Sequence, residues 1–197
     1  MRKLTRKNLD ELAKEMSVIS EIQQKTFIGG TFYFDYSGNY LGKIGDSNEM
    51  QIGTSVIDSG SIPFSIASAE TVEKVLTTMG NAIGISGDVR IAYGNGNYQG
   101  GVDENGQIFV NYQGNIFGEN NYFDFLSLLH HEHYHQTTQS GYTFSSGQNE
   151  FQALMYEINQ PGFQNTSQYY KENTLNDYYS YYDSGYLSGN NYNSGYF

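Results

Sequence analysis

The 197-residue chain has no cysteine, so disulfide staples and thiolate metal sites are both excluded. Any metal it binds must be held by histidine and carboxylate. It has no apolar run of about 18 residues, which leaves no transmembrane helix. Its start also lacks the apolar core of a Sec signal peptide. Cations are scarce after residue 30, where Lys43, Lys74, Arg90 and Lys171 stand against 17 acidic residues, within an overall formal charge of -11. A body so charged is repelled by nucleic acid and by anionic lipid, so neither nucleic-acid binding nor membrane insertion is expected. What the chain does have is 23 glycines and 19 tyrosines, a composition that predicts one loop-rich, tyrosine-rich globular domain with a possible tail.

The first 30 residues hold the remaining cations, Arg2, Lys3, Arg6, Lys7, Lys14 and Lys25. Leu9, Leu12, Ala13 and Met16 follow helical i, i+3, i+4, i+7 spacing, and the segment ends at Phe27-Ile28-Gly29-Gly30. An ordinary amphipathic helix closed by a glycine C-cap accounts for these residues. The segment also resembles the double-glycine leaders of bacterial bacteriocin and peptide precursors. Met16, Ile19 and Phe27 fall where that family carries apolar recognition residues, and Gln24 departs from the pattern. The resemblance implies cleavage after Gly30 by a peptidase-bearing ABC exporter, and secretion of a chain that starts at Thr31.

In the body, Thr31 to Tyr36 and Tyr40 to Ile44 read as a hairpin about Ser37-Gly38-Asn39. Ser68 can cap a helix through Ile83, with Val72, Val75, Leu76, Met79 and Ile83 as its apolar stripe. Asp88 to Tyr93 reads as a strand, and Tyr98 to Asp103 and Gln107 to Tyr112 flank the turn at Glu104-Asn105-Gly106. The acidic loops, Asp103 to Gly106 among them, are explained by turn chemistry and lack the spaced ligands of a calcium loop. Asn121 opens a helix to about Gln136 with Phe125, Leu128 and Leu129 buried, and a second helix runs from Gln148 to Ile158, stopped at Pro161-Gly162. Thr174 to Phe197 is almost all Tyr, Ser, Asn, Gly and Asp and reads as an appended or partly ordered segment, whose tyrosines could pack on the domain or on a carbohydrate.

The chemistry lies in the first of these two helices. His131 and His135 are four apart, so both imidazoles project from one face and can grip one metal, while Glu132 lies beside them within reach of a water. Zinc needs a further protein ligand and an open position. Glu150, at the start of the next helix, is the first candidate, and Glu157, two turns later, is its rival. His130 and His133 point about 100° and 200° around the helix from His131, off the metal face.

Leu129 to His135 followed by Glu150-Phe151-Gln152-Ala153 resembles the zincin metallopeptidases, in particular the gluzincin-like group. The resemblance covers about Asp88 to Asn159 and favours Glu150 as the third ligand. It implies an α+β, zincin-like domain: a short mixed sheet, an active-site helix carrying His-Glu-x-x-His, and a downstream helix supplying the glutamate. An exposed edge strand, by analogy Gln107 to Tyr112, pairs with extended substrate. His133, Tyr134, Gln136 and Thr137 stand where zincins often carry apolar residues. The domains expected are thus a leader over 1–30, a metallopeptidase over 31–173 and a tail over 174–197. The expected activity is peptide-bond hydrolysis with Zn2+ on His131, His135 and Glu150 and with Glu132 as general base. The other readings are a secreted bacteriocin-like or signalling effector with a structural zinc site, and an adhesion module using the tyrosine tail.

Overall fold

The computed structural model describes residues 30–56, 58–94, 98–138 and 147–183. The expected leader, Gly30 apart, therefore lies outside the described residues, as does the tail beyond Asp183. The described chain is mixed α and β, with two small mixed sheets and five helices.

The first sheet is built from β1 (Thr31–Phe34), β2 (Tyr40–Ile44), β3 (Met50–Ile52) and β4 (Ile62–Pro63), in the order β2-β1-β3-β4. The expected hairpin is present: β1 and β2 pair antiparallel. Its turn is held by Asp35, whose Oδ1 accepts from the backbone N–H of Ser37 and of Asn39 at 2.8 Å each, so the carboxylate serves the turn. Strand alternation puts Phe32 and Phe34 inward, both buried, and Phe32 stacks on Tyr122 with centroids 3.8 Å apart. Truncating either phenylalanine to alanine should cost about 3–5 kcal/mol. β3 joins the other side of β1 in parallel. Gly30 is buried at the start of β1, where an added Cβ would meet the Gly45 carbonyl oxygen at 2.5 Å.

Helix α1 (Ala69–Ala82) begins as its sequence requires, with Ser68 Oγ accepting from Thr71 N. Val72, Val75, Leu76 and Met79 form its buried face. Ile83 is the C-cap, only partly buried. The second sheet follows: β5 (Arg90–Ala92), β6 (Gly100–Val102) and β7 (Ile108–Asn111), in the order β5-β7-β6. β7 runs parallel to β5 and antiparallel to β6. This corrects the expectation that Gln107 to Tyr112 forms the edge. Ile108, Val110 and Asn111 are buried, which fits a strand paired on both sides, and the edge beside the later helices is β6.

The short helix α2 (Ile116–Glu119) leads through Asn120 into α3 (Tyr122–Thr138). Asn120 sits in the left-handed region at φ 49°, and its amide ties this junction to the first sheet: Nδ2 donates to Met50 O at 3.0 Å and Oδ1 accepts from Ser65 N at 3.1 Å. Asn121 caps α3 by accepting from Phe123 N at 2.8 Å. Phe123, Phe125, Leu126, Leu128 and Leu129 anchor the helix in a core shared with Phe64, Phe117, Ile108 and Val110. Helix α4 (Gly147–Ile158) packs on α3, and α5 (Gln168–Asp183) packs on α4.

Helix α5 crosses the expected domain boundary at residue 174. Its first ten tail residues, Thr174 to Asp183, belong to the folded body, and Thr174 is buried. The start of α5 is set by Ser167, whose Oγ accepts from Tyr170 N at 3.1 Å. Ser167 is held in turn by the fully buried Asp124, which accepts from Ser167 N at 2.7 Å and from its hydroxyl at 2.6 Å. Among the described residues, no helix is long and apolar enough to cross a membrane.

Candidate metal centre

Helical spacing on α3 brings the Nε2 atoms of His131 and His135 within 3.1 Å of each other. Glu150, from the first turn of α4, faces both: Oε2 lies 3.3 Å from His131 Nε2, and Oε1 lies 3.4 Å from His135 Nε2. Donors each about 2.0–2.1 Å from a tetrahedral zinc stand about 3.3 Å from one another, so the three separations fit the size of that ion. The donor chemistry, two imidazoles and one carboxylate, fits it as well. Among the described residues, these three form the one group of histidines and carboxylates with metal-ligand spacing.

Glu157 does not compete for this position. Its Oε2 stands 3.1 Å from the other ring nitrogen of His131, Nδ1, and the side chain is buried. One imidazole is thus addressed by Glu150 at Nε2 and by Glu157 at Nδ1. Seven residues on a helix make nearly two turns, so both acids of α4 reach the same ring from one face. Burial pulls the His131 imidazole down, but the bonds to Glu150 and Glu157 outweigh it and hold the ring well above its ordinary value. Tyr170, buried in the wall behind, is raised by that burial and by the nearby Glu157 charge.

Glu132 is 5% exposed and turns toward β6. Burial pushes its carboxyl up to about 7, against the pull of His131 and His135. Its space is made by a glycine: a Cβ on Gly100 would lie 3.3 Å from Glu132 Oε1, 3.3 Å from the Leu128 side chain and 3.0 Å from the Phe109 carbonyl oxygen. A side chain there makes tighter contacts than ordinary packing, so its neighbours must give by a few tenths of an ångström.

The centre opens on a cleft of about 1240 Å³. One wall is β6 and the residues from Tyr98 to Asn105, and the other is α5, through Tyr169, Asn173, Asp177 and Tyr181. His131, Glu132, His135, Glu150 and Glu157 line the same space. Sequence reasoning brought His131, Glu132, His135 and Glu150 together, and the structure places all four on this cleft. It missed the α5 wall, whose residues were assigned partly to a tail. The available signal was Ser167 followed by the helix-forming Lys171 and Glu172.

His130 and His133 stand outside the group, as their helical phase requires. The His130 ring lies 6.0 Å from that of Tyr156, and burial, with His133 beside it, pushes it down to about 4. The turn at Asp103 resembles that at Asp35: Oδ1 accepts from Asn105 N at 2.8 Å and Gln107 N at 2.9 Å. Compared with models of known families, with curated proteins and with solved structures, the chain matches none.

Proposed function

We propose that this chain is a zinc-dependent metallopeptidase with a zincin-like body, exported after cleavage following Gly30. The observation that carries the reading is the convergence of His131, His135 and Glu150 at zinc spacing on an open cleft, with Glu132 beside them. His131 and His135 bind through Nε2 and Glu150 through its carboxylate, while Glu157 accepts from His131 Nδ1 and fixes the ring's tautomer and angle. Zinc, when bound, supplies Lewis acidity toward a water and toward the substrate carbonyl. Glu132 then takes the proton of the attacking water and delivers it to the leaving amine. An extended peptide pairs along the outer edge of β6, which carries no further strand among the described residues, in place of the strand first expected.

The test is zinc quantification on residues 31–197 with a peptide-library cleavage assay, using Glu132→Gln as control. One zinc per chain, cleavage by the native protein and none by the variant are expected. Equal cleavage by the variant removes the mechanism. A secreted effector with a structural zinc is the second reading, favoured by the leader, whose usual cargo is not an enzyme. It requires a fourth protein ligand closing the site, and the cleft at the three-residue centre weighs against it.

A further inference from the structure

We propose that Tyr134 and Gln152 are positioning residues for the metal: their hydrogen bond locks α4 against α3 with the Glu150 carboxylate already at ligand distance. The inference rests on the metal centre of the hydrolase reading above, and it is read out on metal binding rather than on cleavage.

Tyr134 stands where zincins often carry an apolar residue, and its hydroxyl donates across the helix pair to Gln152 Oε1 at 2.8 Å. Both side chains are half-buried. The Tyr134 ring lies 5.5 Å from that of Tyr156 on α4 and 6.3 Å from that of His135 on its own helix. One turn earlier, His130 meets the same Tyr156 with ring centroids 6.0 Å apart. Two pairs at i, i+4 spacing thus face each other, His130 with Tyr134 on α3 and Gln152 with Tyr156 on α4. Each α3 member stands one residue before a metal histidine, so this clasp runs beside the centre and is turned about 100° from it.

The clasp bears on Glu150 because that ligand sits in the first turn of α4, and helix ends fray. Glu150 and Gln152 leave α4 about 200° apart, yet both reach α3. A roll of α4 that carries Glu150 off the histidines therefore also breaks the Tyr134 bond on the other side. The contacts of Glu150 with His131 and His135 give way when an ion comes between them. The bond from Tyr134 to Gln152 involves no ligand, so it serves the empty and the filled centre alike. Ligands held in place beforehand cost less to order on binding, so the bond is expressed as metal affinity.

The experiment titrates the metal-free full chain with Co2+, whose visible absorption reports the ligand set that spectroscopically silent zinc would occupy. Tyr134→Phe keeps the ring and removes only the bond. Its cobalt affinity should fall about fivefold, with the spectrum at saturation unchanged because the ligands are the same. Gln152→Leu should do likewise, and the double variant should fall no further than either single one. Ser167→Ala, a comparable loss of stability placed at the start of α5, should keep the native affinity. Native affinity in Tyr134→Phe, losses that multiply to about 25-fold in the double variant, or an equal loss in Ser167→Ala overturns the proposal. A native chain that takes up no cobalt overturns it together with the metal centre. Cleavage by the zinc-loaded native protein is scored in parallel. A shared affinity loss without cleavage removes the hydrolase reading alone, and cleavage with unaltered affinity in the variants removes this proposal alone.

Discussion

Helix α3 buries two carboxylates, and their surroundings differ. At the N-terminal end Asp124 is fully enclosed, and Ser167 gives it both a backbone and a hydroxyl donor. Burial still pushes it up to about 6, with the Ser167 bonds pulling it back. Just over two turns later Glu132 is buried almost as deeply, and among the described residues no hydrogen-bond donor reaches it. It faces the cleft and two imidazoles instead. A buried acid supplied with donors organises structure, whereas one left without them on a cleft wall costs stability and is available for chemistry.

The largest expected effect separates these roles at Glu132. Glu132→Gln should lower peptide cleavage by about 10²–10⁴-fold while leaving zinc content unchanged. The same change should raise the melting temperature of the metal-free protein above pH 7, because it removes a buried charge. A variant that loses stability there breaks the contrast.

Asp124 gives the next largest effect, and its sign follows from the raised folded-state value. The native state holds this proton more tightly than the unfolded chain, whose ordinary value is 3.8. The stability contribution is therefore complete below about pH 4 and is lost as pH rises through 6. In urea denaturation with metal chelated, the stability of the native chain relative to Asp124→Asn should fall by about 3 kcal/mol between pH 4 and pH 7. A flat or opposite slope would place Asp124 outside this account.

Smaller effects test the supports. Glu157→Gln should weaken zinc binding by about tenfold, measured by competition with a chromophoric chelator, without removing it. Loss of all zinc would make Glu157 a ligand rather than the partner of His131 Nδ1. Ser167→Ala should cost about 1 kcal/mol, since it removes the α5 cap and one donor to Asp124, and should leave zinc affinity unaltered.

Much of the centre was legible because its information is local. His131 and His135 share a helical face by spacing alone, and Glu150 stands at a helix start that its own sequence marks. The Ser68 cap and the hairpin at Asp35 were legible for the same reason. The rest depends on partners distant in sequence. The zincin analogy puts Gln107 to Tyr112 at the edge, yet parallel pairing with β5 on one side and antiparallel pairing with β6 on the other puts it in the middle, a contact no local pattern records. Helix α5 has no aliphatic stripe. Tyr170, Thr174 and Leu175 meet the body while Tyr179 and Tyr182 face water, and tyrosine serves either side equally well. Glu150 and Glu157 were rivals in sequence because both lie on one face of α4. Their division of labour is a matter of which ring nitrogen each one meets.

That division makes α4 a gauge. Inserting one residue between Glu150 and Glu157 swings one acid by about 100° relative to the other, so the two can no longer hold opposite sides of the same imidazole. Replacing either acid removes one contact, whereas a change of phase removes their joint grip with every original side chain still present. The interval is therefore as much a part of the centre as the residues that bound it. A search for other chains built this way should ask for two histidines four apart and two acids seven apart, on helices that touch.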